Sequence, residues 1–339
     1  MLVTVAICTY KRPDYLRQTL AGIARQDFPR DQFEVIVIDN NSPDNTAEVV
    51  AEFAGENPAP RYVNESRQGL DYSRNRAIAE ARGEFLIMAD NDILMEPDWI
   101  SRMIAPLTAA TAGRIGALGG EVAPVFPDGL PSWLDDAHTP QGFRSDTGPL
   151  SASQSPMGAN FAFPRRVFKK HGGFRTDLDR RVPQLFAGGD GEMIRRLRRA
   201  GLEIWFVPAA KVLHQIPSSR LNLRYTLRHG FDSARSRVID RAARPGAKLY
   251  FLSRWVINLF IKVPGFALIS LLNAIVLRTG PAKRALVRSW RSCGYLFQII
   301  RSLLKKDRSN GRSTASPLPV DAPHHGTPPP PFGGHRRPQ

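Results

Sequence analysis

The sequence contains little cysteine, which limits how the fold can be held together. Its 339 residues include two cysteines, Cys8 and Cys293, which lie far apart and lack metal-ligand spacing. A disulfide framework or a cysteine zinc site is therefore not indicated, and a reducing cytoplasm is the expected compartment. The first residues, MLVTVAICTY, lack a basic leader, a long apolar run and a small-residue cleavage site. We expect them to form the first strand and not a signal peptide.

Acidic residues are nearly absent from one long stretch near the C-terminus. Between Arg235 and Arg312, seventeen Lys or Arg residues stand against two acids, Asp240 and Asp307. This stretch carries +15 of the net charge of +16, so the rest of the chain is nearly neutral. A basic segment of this kind contacts either nucleic acid or an anionic membrane surface.

An apolar run inside the basic stretch favours the membrane surface. Residues Trp255 to Leu277 carry one charge, Lys262, and we expect the run to break at Pro264-Gly265. Basic residues flank both sides, and each half is too short to cross a bilayer alone. We predict a peripheral protein of the cytoplasmic membrane face with a re-entrant or interfacial segment, while a single span or a pair of core helices remains open. Nucleic acid needs no such run and is not an expected partner.

A basic amphipathic helix is predicted from Arg284. Apolar residues step by four and three along one face, while Arg284, Arg288 and Arg291 project on the other. The apolar positions are Leu286, Trp290, Cys293, Phe297, Ile300 and Leu304.

The preceding part of the chain alternates short apolar, β-rich runs with helical patterns. This alternation is typical of βαβ units on a mostly parallel sheet flanked by helices. The Pro/Gly-rich stretch from Gly119 to Gly158 is expected to be irregular. We predict an α/β domain over 1–215, a basic and partly apolar helical region over 216–310, and a disordered Pro-rich tail over 311–339.

Polar residues gather where the predicted strands end. Thr9 and Asp39 close two strands, and a third, FLIMAD, runs directly into Asn91 and Asp92. In open α/β sheets the ligand crevice lies outside the carboxyl ends of the strands, so these side chains could face one site. Asp90 and Asp92 would repel each other unless a cation lies between them, and their oxygen atoms suit Mg²⁺ or Mn²⁺. The alternative is a pair of loop carboxylates that cap the following helix.

A series of motifs in order resembles the family 2 glycosyltransferases. They read VAICTYKRPDYLRQTL, VIVIDNNSPDNT and ESRQGLDYSRNRAIAEARGEFLIMADND, followed by GANFAFPRRVFKKHGGF and GGDGEMIRRLRRAGLEIWFVPAAKVLH. The resemblance covers about Val3 to His214. It implies the GT-A fold, a nucleotide-sugar donor, a divalent cation and inversion at the transferred sugar. It does not define the sugar.

The resemblance also implies roles for individual residues. Those implied for nucleotide or substrate binding are Thr9, Tyr10, Arg12, Asp39, Arg74 and Asp90, and those implied as metal ligands are Asp90, Asp92 and His214. Asp39 is followed by Asn40 and Asn41, where many relatives have Asp-Gly. On the residues alone, Asp39 could cap a turn, Arg74 could be a solvated helix residue and His214 a hydrogen-bonded core histidine.

The segment GGDGE supplies the implied general base. Asp190 aligns with the second residue of the family's Glu-Asp pair, whereas the first is Gly189 here. Glycines allow the backbone to approach a ligand closely. The alternative is that Asp190 caps the helix EMIRRLRRAG, and Glu192 is then the fallback base.

The predicted function is a metal-assisted, inverting hexosyl transfer to a hydroxyl group of a glycan or lipid-linked acceptor. One alternative is a metal-dependent nucleotidyltransferase. Another is a basic nucleic-acid- or membrane-binding protein with an inactive α/β domain. A dinucleotide-binding oxidoreductase is disfavoured, because the first strand leads into TYKRPD and not into G-x-G-x-x-G.

Overall fold

The computed structural model describes residues 1–109, 113–137, 142–181, 184–242 and 244–306. The strands in these ranges are β1 Val3–Thr9, β2 Phe33–Asp39, β3 Arg61–Asn64, β4 Phe85–Asp90, β5 Ile93–Met95, β6 Ile115–Val125, β7 Gly148–Pro149, β8 Asn160–Pro164 and β9 Glu203–Gln215. The helices are α1 Pro13–Ala24, α2 Thr46–Ala51, α3 Leu70–Glu80, α4 Trp99–Ile104, α5 Arg166–His171, α6 Gly189–Arg199, α7 Leu223–Ala242, α8 Ala247–Ile257, α9 Val263–Ile275 and α10 Thr279–Lys306. The predicted tail over 311–339 lies outside the described residues.

In the described part of the chain, nine strands form one sheet. Eight follow the order β3-β2-β1-β4-β8-β6-β9-β5, and β7 pairs with β9. Strands β3, β2, β1 and β4 are parallel, as is the pair β6 and β9, whereas β5, β7 and β8 pair antiparallel with their neighbours. Most paired residues belong to parallel pairs. The predicted mostly parallel α/β sheet flanked by helices is therefore confirmed.

Apolar side chains cover both faces of the sheet. Val5 and Ile7 of β1 pack in a core cluster with α1 and α4, whereas Ala6 and Cys8 pack in a second cluster with α3 and α6. Successive residues of a strand point to opposite faces, so a strand buried on both sides reads as a continuous apolar run. This is why β1, β2 and β4 have almost no polar residue before their last position.

Strand β6 enters the stretch from Gly119 to Gly158 and strand β7 lies within it, so the expectation that this whole stretch is irregular is wrong at these two places. Gly120 lets β6 pass close to β9, because a Cβ there would lie 2.1 Å from the backbone oxygen of Ala210. The side-chain Nδ2 of Asn160 donates to the same oxygen at 2.7 Å. Strands β6, β8 and β9 are therefore tied together at one point.

Helices α8 and α9 belong to one long helix, Ala247–Ile275, which we call the long apolar helix. The predicted break at Pro264-Gly265 is wrong. A π-helical turn over Asn258–Lys262 ends two residues before Pro264, and such widened turns accommodate a residue that lacks a backbone N–H. The long apolar helix has a mean hydropathy of 1.9, and 6% of its apolar window is buried. Length and composition would allow it to cross a membrane.

The predicted amphipathic helix is confirmed as α10, but its apolar stripe faces outward. The residues of that stripe that are more than a third exposed are Leu286, Trp290, Phe297, Ile300 and Leu304. The buried face of α10 combines small residues, such as Ala285 and Ser292, with the larger Tyr295 and Ile299. Gly294 allows the closest approach to α7, because a Cβ there would lie 2.4 Å from the backbone oxygen of Phe231.

Both ends of the long apolar helix stay beside the rest of the protein. Near its start, Phe251 packs with Val238 of α7 and Tyr295 of α10. Near its end, Ser270 Oγ donates to the backbone oxygen of Ala282 at 2.9 Å. Two residues further along α10, the guanidinium of Arg284 donates to the backbone oxygen of Trp133 at 3.3 Å. The helix therefore lies along α10 and does not project away from the α/β domain.

Candidate active site

The carboxyl ends of β1, β2 and β4 meet at one edge of the sheet. Thr9 pairs with Asp39, and Cys8 pairs with Asp90, in parallel register. Asn91 Nδ2 donates to Thr9 Oγ1 at 2.7 Å, which ties the turn after β4 to the end of β1. The polar residues predicted at the ends of these strands therefore lie together at one edge of the sheet.

Asp39 is buried, and both of its carboxylate oxygens accept hydrogen bonds. Oδ1 accepts from the backbone N–H of Ser42 at 3.0 Å, and Oδ2 accepts from the hydroxyl of Tyr62 at 2.7 Å. Burial and this hydrogen bond raise the pKa of Tyr62 to about 12. Asp39 therefore does cap the turn at Ser42, which was the alternative role considered for it. A nucleotide that contacted Asp39 would compete with these two hydrogen bonds.

Asp92 is buried among three basic side chains. Arg12 forms an ion pair with its Oδ2, and Arg220 Nη1 lies 3.6 Å from the same oxygen. His214 Nε2 lies 3.1 Å from Oδ1. Burial alone would raise the pKa of Asp92, but His214, Arg220 and Arg12 outweigh burial and lower it. Two guanidinium groups are therefore available beside this carboxylate.

Asp90, Asp92 and His214 provide donor atoms for a divalent cation. One ligand atom of each lies within 4.8 Å of the others. The pairing of β5 with β9, in which Ile93 faces His214, brings the histidine beside the turn. Burial and the charge of Asp92 raise the pKa of Asp90. Asp92 Oδ1 and His214 Nε2 are buried atoms for which the described residues provide no hydrogen bond of good geometry, so the set fits a metal ion.

Arg74 lies at the centre of a second group of carboxylates. Its side chain is buried, forms an ion pair with Asp190, and has Nη1 3.2 Å from Asp71 Oδ1. The side chain of Asp190 is 36% exposed, so its carboxylate reaches solvent while Arg74 lies beneath it. Gly188, and not Asp190, occupies the N-cap position of α6. Asp190 is therefore held by Arg74 and does not serve as the helix cap.

Asp71 fills the space that the missing side chain at position 189 would occupy. A Cβ built at Gly189 would lie 2.3 Å from Asp71 Oδ2. A Cβ at Gly158 would likewise lie 2.2 Å from Asp190 Oδ2. Burial, with the neighbouring Asp179 and Asp190, outweighs the effect of Arg74 and raises the pKa of Asp71 to about 8. The raised pKa favours the protonated form of Asp71, and this leaves more of the positive charge of Arg74 for Asp190.

A pocket of about 380 Å³ connects the two groups of carboxylates. Among the predicted site residues, those that line it are Arg74, Asp90, Asp190 and His214. Arg12 and Asp92 adjoin it through their contacts with Arg220 and His214. Among the residues described, the lining does not include Thr9, Tyr10, Asp39 or Glu192. Glu192 is buried and lies 3.1 Å from Arg196 on the same helix.

Sequence reasoning missed most residues that line the pocket, among them the titratable Asp71, Arg220 and His229. Asp71 stands three residues before Arg74, a helical spacing that could have indicated their contact. Arg220 ends a single 3₁₀ turn, Ser218–Arg220, after β9, and so short a turn carries no periodicity that predicts where a side chain points. His229 belongs to α7, which the sequence assigned to the basic region. Burial and the nearby arginines lower the pKa of His229 to about 4, so its ring is neutral at pH 7.

Residues 4–172 match the protein family described as Glycosyl transferase family 2. Among curated relatives, the glucosyl-dolichyl phosphate glucuronosyltransferase of Haloferax volcanii is 24% identical over 251 residues, covering 71% of this chain and 78% of the relative. Glycosyltransferase AglE of the same organism is 23% identical over 313 residues, covering 88% of this chain and 97% of the relative.

Solved structures share the fold. The mannosyltransferase PcManGT from Pyrobaculum calidifontis, in complex with GDP-Man and Mn²⁺, superposes with a TM-score of 0.53 and 21% sequence identity. The match covers 89% of this chain and 86% of that chain. The GT-A architecture expected from the sequence is therefore confirmed.

The buried carboxyl of Asp71 gives a pH-dependent stability that can be measured. Its pKa in the folded chain is raised, so between about pH 4 and pH 8 the folded state binds a proton that the unfolded state has lost. Its contribution to stability is thus complete below the unfolded pKa and is lost as pH rises through that window. We expect Asp71→Asn to flatten the fall in melting temperature between pH 5 and pH 8, measured by calorimetry in EDTA.

Asp14→Asn is the matched control, because that side chain is 88% exposed. It should leave the wild-type pH profile unchanged. Parallel profiles for wild type and Asp71→Asn would contradict the raised pKa of Asp71.

Proposed function

The chain belongs to glycosyltransferase family 2, and from this we propose an inverting, metal-assisted enzyme that transfers a hexose from a nucleotide sugar to a hydroxyl acceptor. The proposed acceptor is a glycan or a lipid-linked sugar. One observation carries the proposal. A partly exposed carboxylate, Asp190, shares a pocket with the Asp90, Asp92 and His214 cluster and is held there by Arg74.

The cluster beside Asp92 suits the diphosphate of the donor. A divalent ion held by Asp90, Asp92 and His214 would supply positive charge to the departing nucleoside diphosphate. The imidazole favours Mn²⁺ over Mg²⁺, which prefers oxygen ligands, and the mannosyltransferase that shares the fold carries Mn²⁺. Arg12 and Arg220 add two guanidinium groups next to the same carboxylate. Guanidinium groups bind phosphate oxygens well, so both could turn to the donor.

The proposed general base is Asp190. The acceptor hydroxyl attacks the anomeric carbon as the bond from that carbon to the diphosphate oxygen breaks, and Asp190 accepts the hydroxyl proton. Attack opposite the leaving group inverts the anomeric configuration in one step. Arg74 holds the Asp190 carboxylate at the pocket, and the raised pKa of Asp71 weakens its competition for Arg74. The products are a glycoside, a nucleoside diphosphate and the proton on Asp190.

Replacing Asp190 tests the proposed base. Asp190→Asn keeps the shape of the side chain but removes its basicity, so turnover should fall by on the order of a hundredfold or more. Donor binding and the melting temperature should change little. The measurement is release of nucleoside diphosphate and of glycoside from a panel of UDP- and GDP-sugars with Mn²⁺. Pyrophosphate as the product would indicate a nucleotidyltransferase instead.

Glu192→Gln is the matched control, because Glu192 lies on the same helix turn but does not line the pocket. It should keep near-normal turnover. Near-normal turnover in Asp190→Asn together with a large loss in Glu192→Gln would move the base to Glu192. Normal turnover in both variants would contradict base catalysis from this helix.

We further propose that the protein is cytoplasmic and binds the anionic cytoplasmic membrane surface through the long apolar helix and α10. Leu268, Leu271 and Leu272 lie on one face of the helix and are each more than half exposed. The exposed stripe of α10 adds Trp290 and Phe297. Lys and Arg residues flank these surfaces, and such groups attract anionic lipid headgroups.

The packing favours a helix that lies in the interface over one that spans the bilayer. The end of the long apolar helix bonds to the start of α10, and Arg284 of α10 bonds to Trp133 of the α/β domain. A spanning helix would carry its bonded neighbour α10, with Arg284 and Arg288, into the hydrocarbon region, which is costly. A helix with both ends beside the soluble domain can bury its exposed leucines without that cost.

Vesicle binding tests this placement. Full-length protein should sediment with vesicles of phosphatidylglycerol and phosphatidylcholine at low salt, and the triple variant Leu268→Gln, Leu271→Gln, Leu272→Gln should bind at least tenfold more weakly. The matched control replaces the same three leucines with isoleucine and should bind like wild type. Wild-type protein that stays in the supernatant would contradict the proposal. Protein that resists alkaline extraction from native membranes would indicate a single span instead.

A further inference from the structure

The chain that leads into Asp190 forms part of the pocket wall and lacks backbone hydrogen bonds of its own. We call residues 185–188 the base loop, because α6 follows it directly and carries Asp190 as its second residue. Residues 186–190 all line the active-site pocket. In the described part of the chain, no backbone oxygen accepts a hydrogen bond from the N–H groups of residues 185–188. The conformation of the base loop is therefore fixed by groups outside it.

Helix α7 supplies those groups through two side chains four residues apart. Asp232 Oδ2 accepts a hydrogen bond from the backbone N–H of Leu185 at 2.9 Å. Ser236 Oγ accepts one from the backbone N–H of Ala187 at 3.4 Å. The Ser236 hydroxyl donates to the backbone oxygen of Ser233, which leaves its lone pairs free to accept. Positions four apart lie on one face of a helix, so the base loop is held along one face of α7.

Asp232 is itself held by Arg235. Arg235 Nη1 donates to Asp232 Oδ1 at 2.8 Å, and both side chains are largely buried. The guanidinium of Arg235 lies 5.0 Å from the ring centre of Phe186 in the base loop and 5.2 Å from that of Phe297 in α10. Its Nε also donates to Gln298 Oε1 of α10 at 3.3 Å. The ion pair of Asp232 and Arg235 thus supports both the backbone of the base loop and a ring that lines the pocket.

A third contact lies one turn further along α7. Asp240 Oδ2 accepts from Arg195 Nη2 at 2.6 Å, and Arg195 belongs to α6. Asp232, Ser236 and Asp240 follow each other at intervals of four residues, and all three are buried. A buried carboxylate is costly unless it is paired and hydrogen-bonded, and each of these two carboxylates has a partner in the segment that carries Asp190. This face of α7 therefore holds the base loop and α6 together.

We propose that Asp232 and Ser236 are positioning residues that hold the general base in its reactive geometry. Arg74 holds the carboxylate of Asp190, whereas α7 holds the backbone that carries it. The proposal rests on the proposed function, and it assigns control of the base to a helix outside residues 4–172, which match the family. A misplacement of about 1 Å can lower a rate about a hundredfold. A loosened base loop should therefore lower turnover and leave the donor bound at the metal cluster.

Replacing the two acceptors on α7 tests the proposal in the full-length protein. Asp232→Ala should lower kcat for release of nucleoside diphosphate from UDP- or GDP-sugars with Mn²⁺ at least tenfold, while KM for the donor changes less than twofold. Ser236→Ala removes only a hydroxyl group and should lower kcat at least threefold, again with KM unchanged. It decides the test if Asp232→Ala fails to fold. In both variants, hydrogen–deuterium exchange of residues 185–188 should be at least threefold faster than in wild type.

Val238→Ala is the matched control, because Val238 is buried on the same helix and packs with Phe251 and Tyr295, away from the base loop. It should lower the melting temperature and keep kcat within twofold of wild type. A loss of kcat in Val238→Ala as large as that in Asp232→Ala would show a general effect of lowered stability and overturn the proposal. Normal kcat in both base-loop variants would overturn it as well.

The exchange measurement needs no substrate, so the failures of the two proposals can be distinguished. Faster exchange of the base loop in the variants of a protein that transfers no sugar would overturn the enzymatic proposal and its general base, but confirm that α7 holds the base loop. Sugar transfer that both variants carry out like wild type would overturn the positioning role and leave the enzymatic proposal in place.

Discussion

Carboxylates that lose water at the carboxyl ends of β1 and β4 need positive charge beside them, and this requirement organises the site. Asp92 obtains it from Arg12, Arg220 and His214. Asp190 obtains it from Arg74, which lies buried beneath the pocket. Asp92 Oδ1 and His214 Nε2 still lack a hydrogen bond of good geometry, and with Asp90 they fit a metal ion. In the proposed mechanism, donor binding and base catalysis would use the two halves of this charge arrangement.

The sequence predicted the strand ends well, because buried strands are continuous apolar runs and their first polar residues stand out. It therefore placed Asp90 and Asp92 at the edge of the sheet, and the resemblance added His214 and Arg74. It could not predict that Asp71 occupies the space left by Gly189, since that contact joins two helices far apart in sequence. The antiparallel pairing of β5 with β9, which brings His214 to Asp92, also follows from long-range packing.

In the C-terminal region, composition predicted the basic amphipathic helix but not its orientation. Tyr295 and Ile299 of α10 pack against α7, and Gly294 lets the two helices approach closely, while the other large apolar residues of α10 face outward. Pro264 does not break the long apolar helix, because a π-helical turn before it accommodates the missing backbone N–H. Helix α7 lines the active-site pocket with one face. The C-terminal region, which the sequence predicted to contact the membrane, therefore also contributes residues of α7 to the pocket.

The most direct test is calorimetric titration of UDP and of GDP into the full-length protein, with Mn²⁺ and with EDTA. If the carboxylates at the sheet edge hold a metal ion for a diphosphate, one of the two nucleotides should bind with Mn²⁺ and lose at least tenfold in affinity in EDTA. Asp92→Asn should show the same loss with Mn²⁺ present while its melting temperature stays near that of wild type. Equal nucleotide affinity for wild type with Mn²⁺, wild type in EDTA and Asp92→Asn with Mn²⁺ would contradict a metal ion at this site.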